Sequence, residues 1–229
     1  MSELLPKILV VDDEVDIVEF ICYNLEKEGY AVQSANSGRE AVEKAKSFQP
    51  NLIIMDVMMP QMDGIEACRK IRENEDLNKS FIMFLTARNE EYSEIAGFDA
   101  GGDDYVTKPI KPRALLSRVH AIMKRQNAQS EPDAGEVLTH GDLIINPNEY
   151  IVKLGDEKLS LPRKEFDLLY LLASKPAKVF TREKILRKVW GTDVFVVDRT
   201  IDVHIRKIRE KIGDSKIETV KGVGYKFVG

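Results

Sequence analysis

Three unbroken apolar runs in the first half of the chain limit what it can fold into. They are Lys7–Asp12 (KILVVD), Leu52–Asp56 (LIIMD) and Phe81–Thr86 (FIMFLT), and each ends in a polar residue. Runs without polar alternation are typical of strands that are buried on both faces of a parallel sheet. Tyr30–Ala35 and Asp104–Thr107 are weaker candidates for two further strands. The pattern therefore predicts a parallel sheet with helices on both faces.

Amphipathic segments separate these strands and complete five strand–helix repeats. The predicted helices are Glu14–Glu28, Gly38–Phe48, Gly64–Asn74, Asn89–Ala100 and Pro112–Arg125. Parallel strands joined through helices require right-handed crossovers. We therefore predict an α/β domain, a (βα)5 doubly wound fold with the flavodoxin-like strand order 2-1-3-4-5.

The second half of the chain follows a different pattern after a polar break at Gln126–Glu136. Val137–Leu161 alternates short apolar segments with turn residues, as in a small antiparallel sheet. Three helical stretches follow, at Arg163–Ser174, Arg182–Trp190 and Asp198–Ile212, before two short strands at the end. We predict one domain at 1–125, a linker at 126–136 and a second domain at 137–229.

Charge also differs between the two halves, although the whole chain has a net charge of only −4. Residues 1–125 carry 16 Lys and Arg against 22 Asp and Glu, which gives −6. Residues 182–226 carry 12 against 7, which gives +5. The near-neutral total therefore does not argue against a nucleic-acid partner, because it averages an acidic half with a basic segment.

Polar side chains cluster at the predicted carboxyl ends of the strands. They are Asp12 and Asp13 after the first strand, Asp56 and Thr86 at the ends of the third and fourth, and Lys108 after the fifth. Strands one and three are neighbours in the predicted order, so their ends flank one crevice. Three clustered carboxylates repel one another, and a hard divalent cation such as Mg²⁺ or Mn²⁺ relieves this repulsion.

This constellation suits phosphoryl transfer. Asp56 can attack a phosphoryl group and form an aspartyl-phosphate, while Lys108 neutralises the developing charge. Thr86 offers a hydroxyl to the new phosphoryl oxygen, and a backbone carbonyl near Met58 completes the expected metal site. An isolated aspartate at a strand end is usually a turn residue or a helix cap. The joint placement of five polar residues at strand ends, three of them aspartates, favours a functional site.

The motifs around these residues resemble a known family. They are VVDDE at Val10–Glu14, MDVMMPQMDG at Met55–Gly64, LTA at Leu85–Ala87 and DDYVTKP at Asp103–Pro109. They are similar to the receiver domain of two-component response regulators. The resemblance implies that Asp56 accepts phosphate from a sensor histidine kinase, that Asp12, Asp13, Asp56 and the Met58 carbonyl bind Mg²⁺, and that Thr86 and Tyr105 reorient on phosphorylation.

The last predicted helix, Asp198–Ile212, has two contrasting faces. Ile201, Ile205, Ile208 and Ile212 form an apolar stripe. The opposite arc is polar and largely positive, which on a helix following another helix favours helix-turn-helix docking in the major groove of DNA. A solvated helix face is the alternative interpretation of the same charges.

The end of the chain strengthens the DNA-binding prediction. DRTIDVHIRKIREKIG at Asp198–Gly213 and VKGVGY at Val220–Tyr225 resemble the recognition helix and the wing of an OmpR/PhoB-type winged-helix domain. The resemblance implies contacts in the DNA groove for Asp202, Lys207 and Lys221, and a DNA-binding role for Tyr225. It implies phosphate contacts or helix-positioning contacts for six further residues: Trp190, Arg199, Thr200, His204, Arg206 and Arg209. Lys207 and Lys221 lack the planar fork with which arginine reads guanine.

The same family dimerises through the fourth helix, the fifth strand and the fifth helix (the α4-β5-α5 face). Asp104 and Arg118 match one inter-chain ion pair of that face, and Arg125 is suitably basic. Glu94 and Ala114 depart from a second pair, which is therefore absent. Exposed ion pairs contribute up to about 1 kcal/mol each, so this loss need not abolish the homodimer.

We therefore expect a phosphorylation-activated transcriptional regulator with a histidine kinase, promoter DNA and RNA polymerase as partners. It is not expected to be an enzyme beyond Mg²⁺-dependent self-phosphorylation and autodephosphorylation. Two alternatives remain open, a Mg²⁺-dependent phosphohydrolase and a DNA-binding protein that is independent of phosphorylation. No apolar run is long enough to span a membrane, and two cysteines provide no disulfide framework, which favours the cytoplasm.

Overall fold

The computed structural model describes residues 5–86, 96–128, 135–191 and 199–229. The chain divides into two units, Met1–Ala128 and Gln129–Gly229. Each unit has its own apolar core. Within the described ranges, no helix combines the length and the hydropathy that a membrane-spanning helix needs.

The first unit is built on a five-stranded parallel sheet. Its strands are β1 (Lys7–Val11), β2 (Ala31–Ala35), β3 (Leu52–Asp56), β4 (Phe81–Thr86) and β5 (Asp104–Thr107). They are hydrogen-bonded in the order β2-β1-β3-β4-β5, so the predicted doubly wound order is confirmed. Every residue of β3 and β4 is buried, as expected for central strands that are covered on both faces.

Helices connect these strands. They are α1 (Val15–Lys27), α2 (Gly38–Phe48), α3 (Gly64–Arg72), α4 (helical residues 96–99) and α5 (Pro112–Ala128). The part of the predicted helix Asn89–Ala100 that precedes residue 96 lies outside the described residues. Helix α5 continues three residues beyond its predicted end, into the predicted linker at 126–136. The boundaries 1–125, 126–136 and 137–229 stay a prediction.

Two helices of this unit begin at side chains that suit a helix N-terminus. The Ser37 hydroxyl accepts a hydrogen bond from the Glu40 N–H, and an Asp63 carboxylate oxygen accepts one from the Glu66 N–H. Each bond satisfies an N–H that the first helical turn leaves without a partner. A Cβ atom at Gly64 would lie 2.0 Å from the Asp56 carbonyl oxygen, so the first residue of α3 lies against the end of β3.

In its described residues, 135–191 and 199–229, the second unit combines two small antiparallel sheets with three helices. One sheet contains β6 (Leu138–His140), β7 (Leu143–Asn146), β8 (Ile151–Leu154) and β9 (Glu157–Leu159) in sequential order. The helices are α6 (Arg163–Ala173), α7 (Arg182–Ile185), which continues as a π-helical turn at Leu186–Trp190, and α8 (Arg199–Ile212). The second sheet has the order β10-β12-β11, with β10 at Phe180–Thr181, β11 at Ile217–Val220 and β12 at Gly224–Phe227.

Helix α8 packs its isoleucine stripe into the core of this unit. Ile201, Ile205, Ile208 and Ile212 are all buried, as the helical spacing predicts. Strands β11 and β12 form a hairpin whose turn is the wing. A Cβ atom at Gly224 would lie 1.9 Å from the Phe180 carbonyl oxygen, so glycine permits the close approach of β12 to β10. The predicted winged-helix fold is confirmed.

Candidate functional site

The predicted acidic residues meet at the carboxyl ends of β1 and β3. Asp12 directly follows β1 and Asp56 ends β3, and the two strands are neighbours in the sheet. Asp12, Asp13 and Asp56 each place a carboxylate oxygen within 4.8 Å of the others. Asp12 and Asp56 are buried, whereas Asp13 is exposed. Residues more than 40 positions apart in sequence therefore form one site, because β1 and β3 are parallel neighbours and their carboxyl ends lie at the same edge of the sheet.

The ammonium group of Lys108 lies among these carboxylates. Its Nζ atom is 2.8 Å from Asp56 Oδ1, 2.9 Å from Asp12 Oδ2 and 3.4 Å from Glu14 Oε1. The Lys108 N–H also donates to the Thr86 carbonyl, which links the loop after β5 to the end of β4. Glu14 is a site residue that the sequence analysis missed, and its position directly after Asp12 and Asp13 was the available signal.

Burial and charge act against each other in this site. Burial raises the pKa of the Asp56 carboxyl, although Lys108 and the Met58 N–H favour its charged form. Burial alone would lower the pKa of Lys108, but its close contacts with the charged carboxylates of Asp56 and Asp12 outweigh it, and the pKa is raised. One ammonium group thus faces several carboxylates and offsets only part of their charge.

The carboxylates fit a hard divalent cation. Asp56 Oδ2 accepts a hydrogen bond of 2.8 Å from the Met58 N–H, and Asp12 Oδ1 accepts one of 3.0 Å from the Glu14 N–H. Asp12 Oδ2 is buried and accepts no well-oriented hydrogen bond, so its contact with Lys108 is an ion pair. Carboxylate oxygens together with water are the ligands that Mg²⁺ prefers. The Met58 carbonyl as a ligand stays a prediction.

The two predicted switch residues lie on neighbouring parts of β4 and β5. Thr86 ends β4 and is buried. Tyr105 is the second residue of β5 and only 8% exposed. Its ring centroid is 5.2 Å from that of Phe84 and 4.7 Å from that of Phe98. The tyrosine ring therefore packs inside the unit, against β4 and α4.

The residues predicted for an inter-chain ion pair instead pair within one chain. Arg118 Nη1 lies 3.0 Å from Asp104 Oδ2, and the same guanidinium donates to the Tyr105 carbonyl. Ala114 is exposed on α5. Glu94 and the side chain of Arg125 lie outside the described residues. The role of these residues in a dimer interface stays a prediction.

An apolar groove lies beside the acidic site. Its volume is about 560 Å³, and it is lined by Asp16, Ile17 and Phe20 of α1 and by Lys108, Pro109 and Ile110 of the loop after β5. Phe20 is 42% exposed. Lys108 therefore borders both the groove and the acidic site.

The second unit exposes a charged surface on α8 and on the wing. Arg206 and Glu210 are exposed and form an ion pair of 3.1 Å, and Lys207 Nζ lies 3.7 Å from Glu210. Lys221 is exposed at the tip of the wing. Basic side chains are therefore exposed on α8, as the helical pattern predicted, and also on the wing.

Asp202 of α8 holds two other elements of this unit. The Tyr225 hydroxyl donates to Asp202 Oδ1 at 2.6 Å, and Arg182 Nη2 donates to the same oxygen at 3.0 Å. The Arg182 guanidinium also lies 5.0 Å from the centre of the Tyr225 ring. Burial and the bond to Asp202 raise the pKa of Tyr225 to about 12. These contacts join α7, α8 and β12.

Four residues of the predicted DNA-binding set are buried. For Trp190, Thr200 and His204 this leaves the helix-positioning alternative, whereas for Tyr225 it corrects the predicted DNA contact. The side chains of Trp190, Thr200, His204 and Tyr225 are each at most 3% exposed, so they do not reach the surface as direct contacts. The Trp190 and His204 rings lie 5.1 Å apart and hold α8 against the turn before it. His204 follows Ile201 by three residues, which places it on the buried stripe, and this spacing was the signal available in the sequence.

Two further arginines, Arg199 and Arg209, belong to the predicted DNA-binding set. Arg209 donates to the Ile217 carbonyl at 2.7 Å and to the Thr219 hydroxyl at 2.9 Å, so it anchors β11 to α8. This contact favours a helix-positioning role for Arg209. The side chain of Arg199 lies outside the described residues.

Comparisons with known proteins agree with this division. The response regulator receiver domain family matches residues 8–120, and the family described as transcriptional regulatory protein, C terminal, matches residues 156–227. The crystal structure of DrrB, an OmpR/PhoB homologue from Thermotoga maritima, is 34% identical, with 99% of this chain and 100% of that chain covered and a TM-score of 0.51.

Two other solved structures are similar to all or part of the chain. A mutant of RitR is 28% identical, with 98% of this chain and 100% of that chain covered and a TM-score of 0.79. The chemotaxis response regulator CheY4 of Vibrio cholerae is 31% identical over 52% of this chain and 99% of its own, with a TM-score of 0.50.

A receiver domain followed by a transcriptional effector domain defines the class of two-component response regulators. Within that class, the identity to DrrB over the full length of both chains shows that this chain belongs to the OmpR/PhoB-type response regulators. It is thus a two-component transcriptional regulator, and its domains indicate a histidine kinase and DNA as partners.

Proposed function

We propose that Asp56 accepts a phosphoryl group from the phosphohistidine of a sensor histidine kinase. A carboxylate oxygen of Asp56 attacks phosphorus, the phosphorus–nitrogen bond breaks, and the histidine leaves as a neutral imidazole after taking up a proton. The observation that supports this proposal is the position of Asp56 beside Lys108 and among further carboxylates at the open end of the sheet. The products are an aspartyl-phosphate and the free kinase histidine.

The surrounding side chains have separate tasks in this proposal. Asp12, Asp13, Asp56 and the Met58 carbonyl hold Mg²⁺ or Mn²⁺, which supplies positive charge to the transferring phosphoryl group. Lys108 supplies a second positive charge from the other side, where its ammonium already contacts Asp56 at 2.8 Å. The Thr86 hydroxyl donates to a phosphoryl oxygen once the aspartyl-phosphate has formed.

The phosphorylated site controls DNA binding in this proposal. Reorientation of Thr86 and Tyr105 alters the α4-β5-α5 face, and two chains pair there through Asp104, Arg118 and Arg125. A homodimer presents two α8 helices to repeated half-sites, which raises their effective concentration on promoter DNA. Arg206, Lys207, Asp202 and Arg199 of α8 and Lys221 of the wing face the DNA. RNA polymerase is the partner that the bound regulator engages, and the cytoplasm is where it acts.

We propose no enzymatic activity beyond self-phosphorylation and autodephosphorylation, because the acceptor in each cycle is Asp56 itself. The proposal is tested with radiolabelled acetyl phosphate and Mg²⁺, followed by selection of bound fragments from random DNA. The wild-type chain should become labelled and bind one DNA sequence more tightly afterwards, whereas Asp56→Asn should do neither. Multiple turnover of a phosphomonoester would instead support a phosphohydrolase, and equal DNA affinity with and without labelling would support a regulator that is independent of phosphorylation.

The kinase is proposed to cover the groove between α1 and the loop after β5. Its phosphohistidine must reach Asp56, and the groove shares Lys108 with that site. Phe20→Ala should slow transfer from the cognate kinase while leaving labelling by acetyl phosphate unchanged. Val228→Ala is the matched control, since Val228 is 43% exposed but belongs to the second unit. Equal loss with both phosphodonors would place Phe20 in the chemistry rather than in kinase recognition.

A further inference from the structure

Asp202 is a carboxylate on the face of α8 that the proposed function turns towards DNA. It is the fourth residue of α8, and the N-terminal residues of a recognition helix are those that contact base edges in the major groove. Its side chain is 49% exposed. The Tyr225 hydroxyl and the Arg182 guanidinium both donate to its Oδ1 atom, at 2.6 Å and 3.0 Å. Oδ2 receives no hydrogen bond from the described residues, so it is the oxygen that can accept one from DNA.

Both donors belong to elements that hold them in place. Tyr225 is only 3% exposed and lies in β12, where it pairs with Phe180 of β10 and Thr219 of β11. Burial, together with its hydrogen bond to Asp202, raises the pKa of Tyr225 to about 12, so its hydroxyl keeps its proton and donates at neutral pH. Arg182 is the first residue of α7, and its guanidinium lies 5.0 Å from the centre of the Tyr225 ring. Two separate elements therefore converge on one carboxylate oxygen.

The two hydrogen bonds fix the direction of the carboxylate. A carboxylate group otherwise rotates over a broad range about the bond that joins it to Cβ. Donors from two elements on one oxygen remove that freedom, whereas Tyr225 alone would leave a single bond about which the group can pivot. Arg182 is the charged donor of the two, and a hydrogen bond between charged partners is about twice as strong as a neutral one. Arg182 therefore decides where Oδ2 of Asp202 points.

An oriented carboxylate oxygen discriminates between bases. It can only accept hydrogen bonds, because an ionised carboxylate has no proton to donate. In the major groove, cytosine and adenine present an amino group, whereas guanine and thymine present oxygen acceptors. Asp202 therefore suits a base with an exocyclic amino group and repels guanine and thymine. A carboxylate that is free to pivot discriminates less, because its oxygen spends less time in the favourable direction.

We propose that Arg182 is a positioning residue for the recognition of one base by Asp202. Through this contact, α7 contributes to the sequence preference of the regulator, although Arg182 donates its hydrogen bonds to the protein and not to DNA. This inference rests on the proposed function, in which α8 lies in the major groove. Arg182→Gln removes the charged donor and its planar fork, so the preference for an amino-bearing base should weaken at one position of the binding site and at no other.

Selection of bound fragments from random DNA, with the wild-type chain and with Asp202→Ala, identifies the base pair that Asp202 contacts. Fluorescence anisotropy then gives the affinities for the four labelled sequences that differ only at this base pair. The wild-type chain should prefer the amino-bearing base about tenfold, and Arg182→Gln should reduce this ratio to about twofold.

Arg187→Gln is the matched control for this measurement. It removes the same charge from an exposed position of the π-helical turn that follows α7, and it should keep the wild-type ratio. An equal loss of affinity for all four sequences in Arg182→Gln would indicate a phosphate contact and would overturn the proposal.

A double-mutant cycle tests whether Arg182 acts through Asp202. In an Asp202→Ala chain no carboxylate remains to be oriented, so adding Arg182→Gln should leave the four affinities in the same ratio. A further change of the ratio in that background would show that Arg182 acts on another group and would overturn the proposal.

Folding and the proposed function are followed separately. Trp190 fluorescence during urea unfolding reports whether the second unit of each variant is folded. If Arg182→Gln does not fold, Arg182→Lys replaces it, because lysine keeps the charge but lacks the planar fork. Arg182→Lys should also lower the ratio, and an unchanged ratio would overturn the proposal.

The role of Arg182 and the role of α8 fail in different ways. A base preference that changes in Asp202→Ala but not in Arg182→Gln would overturn the positioning role and leave the proposed function in place. Base preferences that stay the same in Asp202→Ala would overturn both the positioning role and the groove contact of Asp202.

Discussion

The two units of this regulator arrange charge in opposite ways. In the first unit, Asp12, Asp56 and Lys108 converge with contacts of 2.8–2.9 Å, and both carboxylates are buried. In the second unit, Arg206 and Lys221 are exposed and spread over a helix and a hairpin. Charges interact strongly where water is excluded and weakly where water and salt screen them. One residue can therefore decide the chemistry of the receiver, whereas DNA binding adds up from many small contributions.

Lys108→Ala should have the largest effect on the receiver. Loss of the ammonium removes a preorganised positive charge from the transferring phosphoryl group, so the rate of labelling by acetyl phosphate should fall about 10²–10³-fold. The initial rate of label incorporation at saturating Mg²⁺ measures this. Lys111→Ala, at an exposed position nearby, is the control and should keep the wild-type rate. A comparable fall in both variants would mean that charge acts at long range rather than within the site.

Ile208→Ala should lower the stability of the second unit and leave the first unit unchanged. Ile208 is fully buried in the core of the second unit, so its truncation should lower the free energy of unfolding of that unit by about 3 kcal/mol. Trp190 is the only tryptophan of the chain and is buried in the same core, so its fluorescence during urea unfolding reports this unit. Labelling of Asp56 should remain unchanged, and loss of labelling would contradict independent cores.

Mg²⁺ should stabilise the first unit through the acidic cluster. A cation that binds only the folded carboxylates raises the melting temperature by a few degrees, about 4 °C for each kcal/mol of binding linkage. Calorimetry of the full chain with and without Mg²⁺ measures the shift. Asp13→Ala should lose it, whereas Asp16→Ala, which changes an exposed carboxylate on α1, should keep it. An equal shift in both variants would argue against the proposed ligands.

Basic residues of the second unit should each contribute modestly to DNA affinity. Lys207→Ala and Lys221→Ala should each weaken binding by about 1 kcal/mol and reduce the salt slope by about 1 if they contact phosphates. Fluorescence anisotropy of labelled DNA across a salt series measures both quantities. Lys153→Ala, on the four-stranded sheet, is the control with an exposed lysine elsewhere. A loss confined to one DNA sequence would indicate base contact instead.

The smallest expected effect is the change that Asp56→Asn makes in the pH dependence of the free energy of unfolding. Burial raises the pKa of Asp56 in the folded state, so the wild-type chain loses stability as the pH rises from the ordinary carboxyl range through this raised pKa. Asparagine does not ionise and lacks this loss. Without metal, Asp56→Asn should therefore be more stable than wild type at pH 7 and lose the advantage below the ordinary carboxyl pKa. Urea unfolding followed by circular dichroism measures the difference, and a less stable variant at pH 7 would contradict the assigned sign.

Local pattern and parallel topology made much of the fold predictable. The unbroken runs Leu52–Asp56 and Phe81–Thr86 are central buried strands, and the isoleucine stripe of α8 faces the core. Convergence of Asp12 and Asp56 followed from the strand order alone. For the strands and for α8, the spacing of apolar residues along the sequence was enough to predict which side chains are buried.

Contacts between distant residues were not accessible in the same way. The bond between Tyr225 and Asp202 and the fit of Tyr105 against Gly97 depend on how separate elements pack, which no local period encodes. The resemblance assigned Tyr225 to the DNA surface, but the structure turns it towards α8. His204 is a different case, since its helical spacing already placed it on the buried stripe.

The ion pair between Asp104 and Arg118 has a consequence for how two receivers would recognise each other. Both partners already have their charge satisfied within one chain. If two chains paired across the α4-β5-α5 face through these residues, the Asp104–Arg118 ion pair within each chain would be replaced by one between the chains. The number of ion pairs would therefore not change. Salt weakens the bonds of the separate chains and of the dimer alike. Association through this pair would therefore exchange one ion pair for another, with little net gain in electrostatic energy. Shape complementarity rather than charge attraction would then select the partner chain.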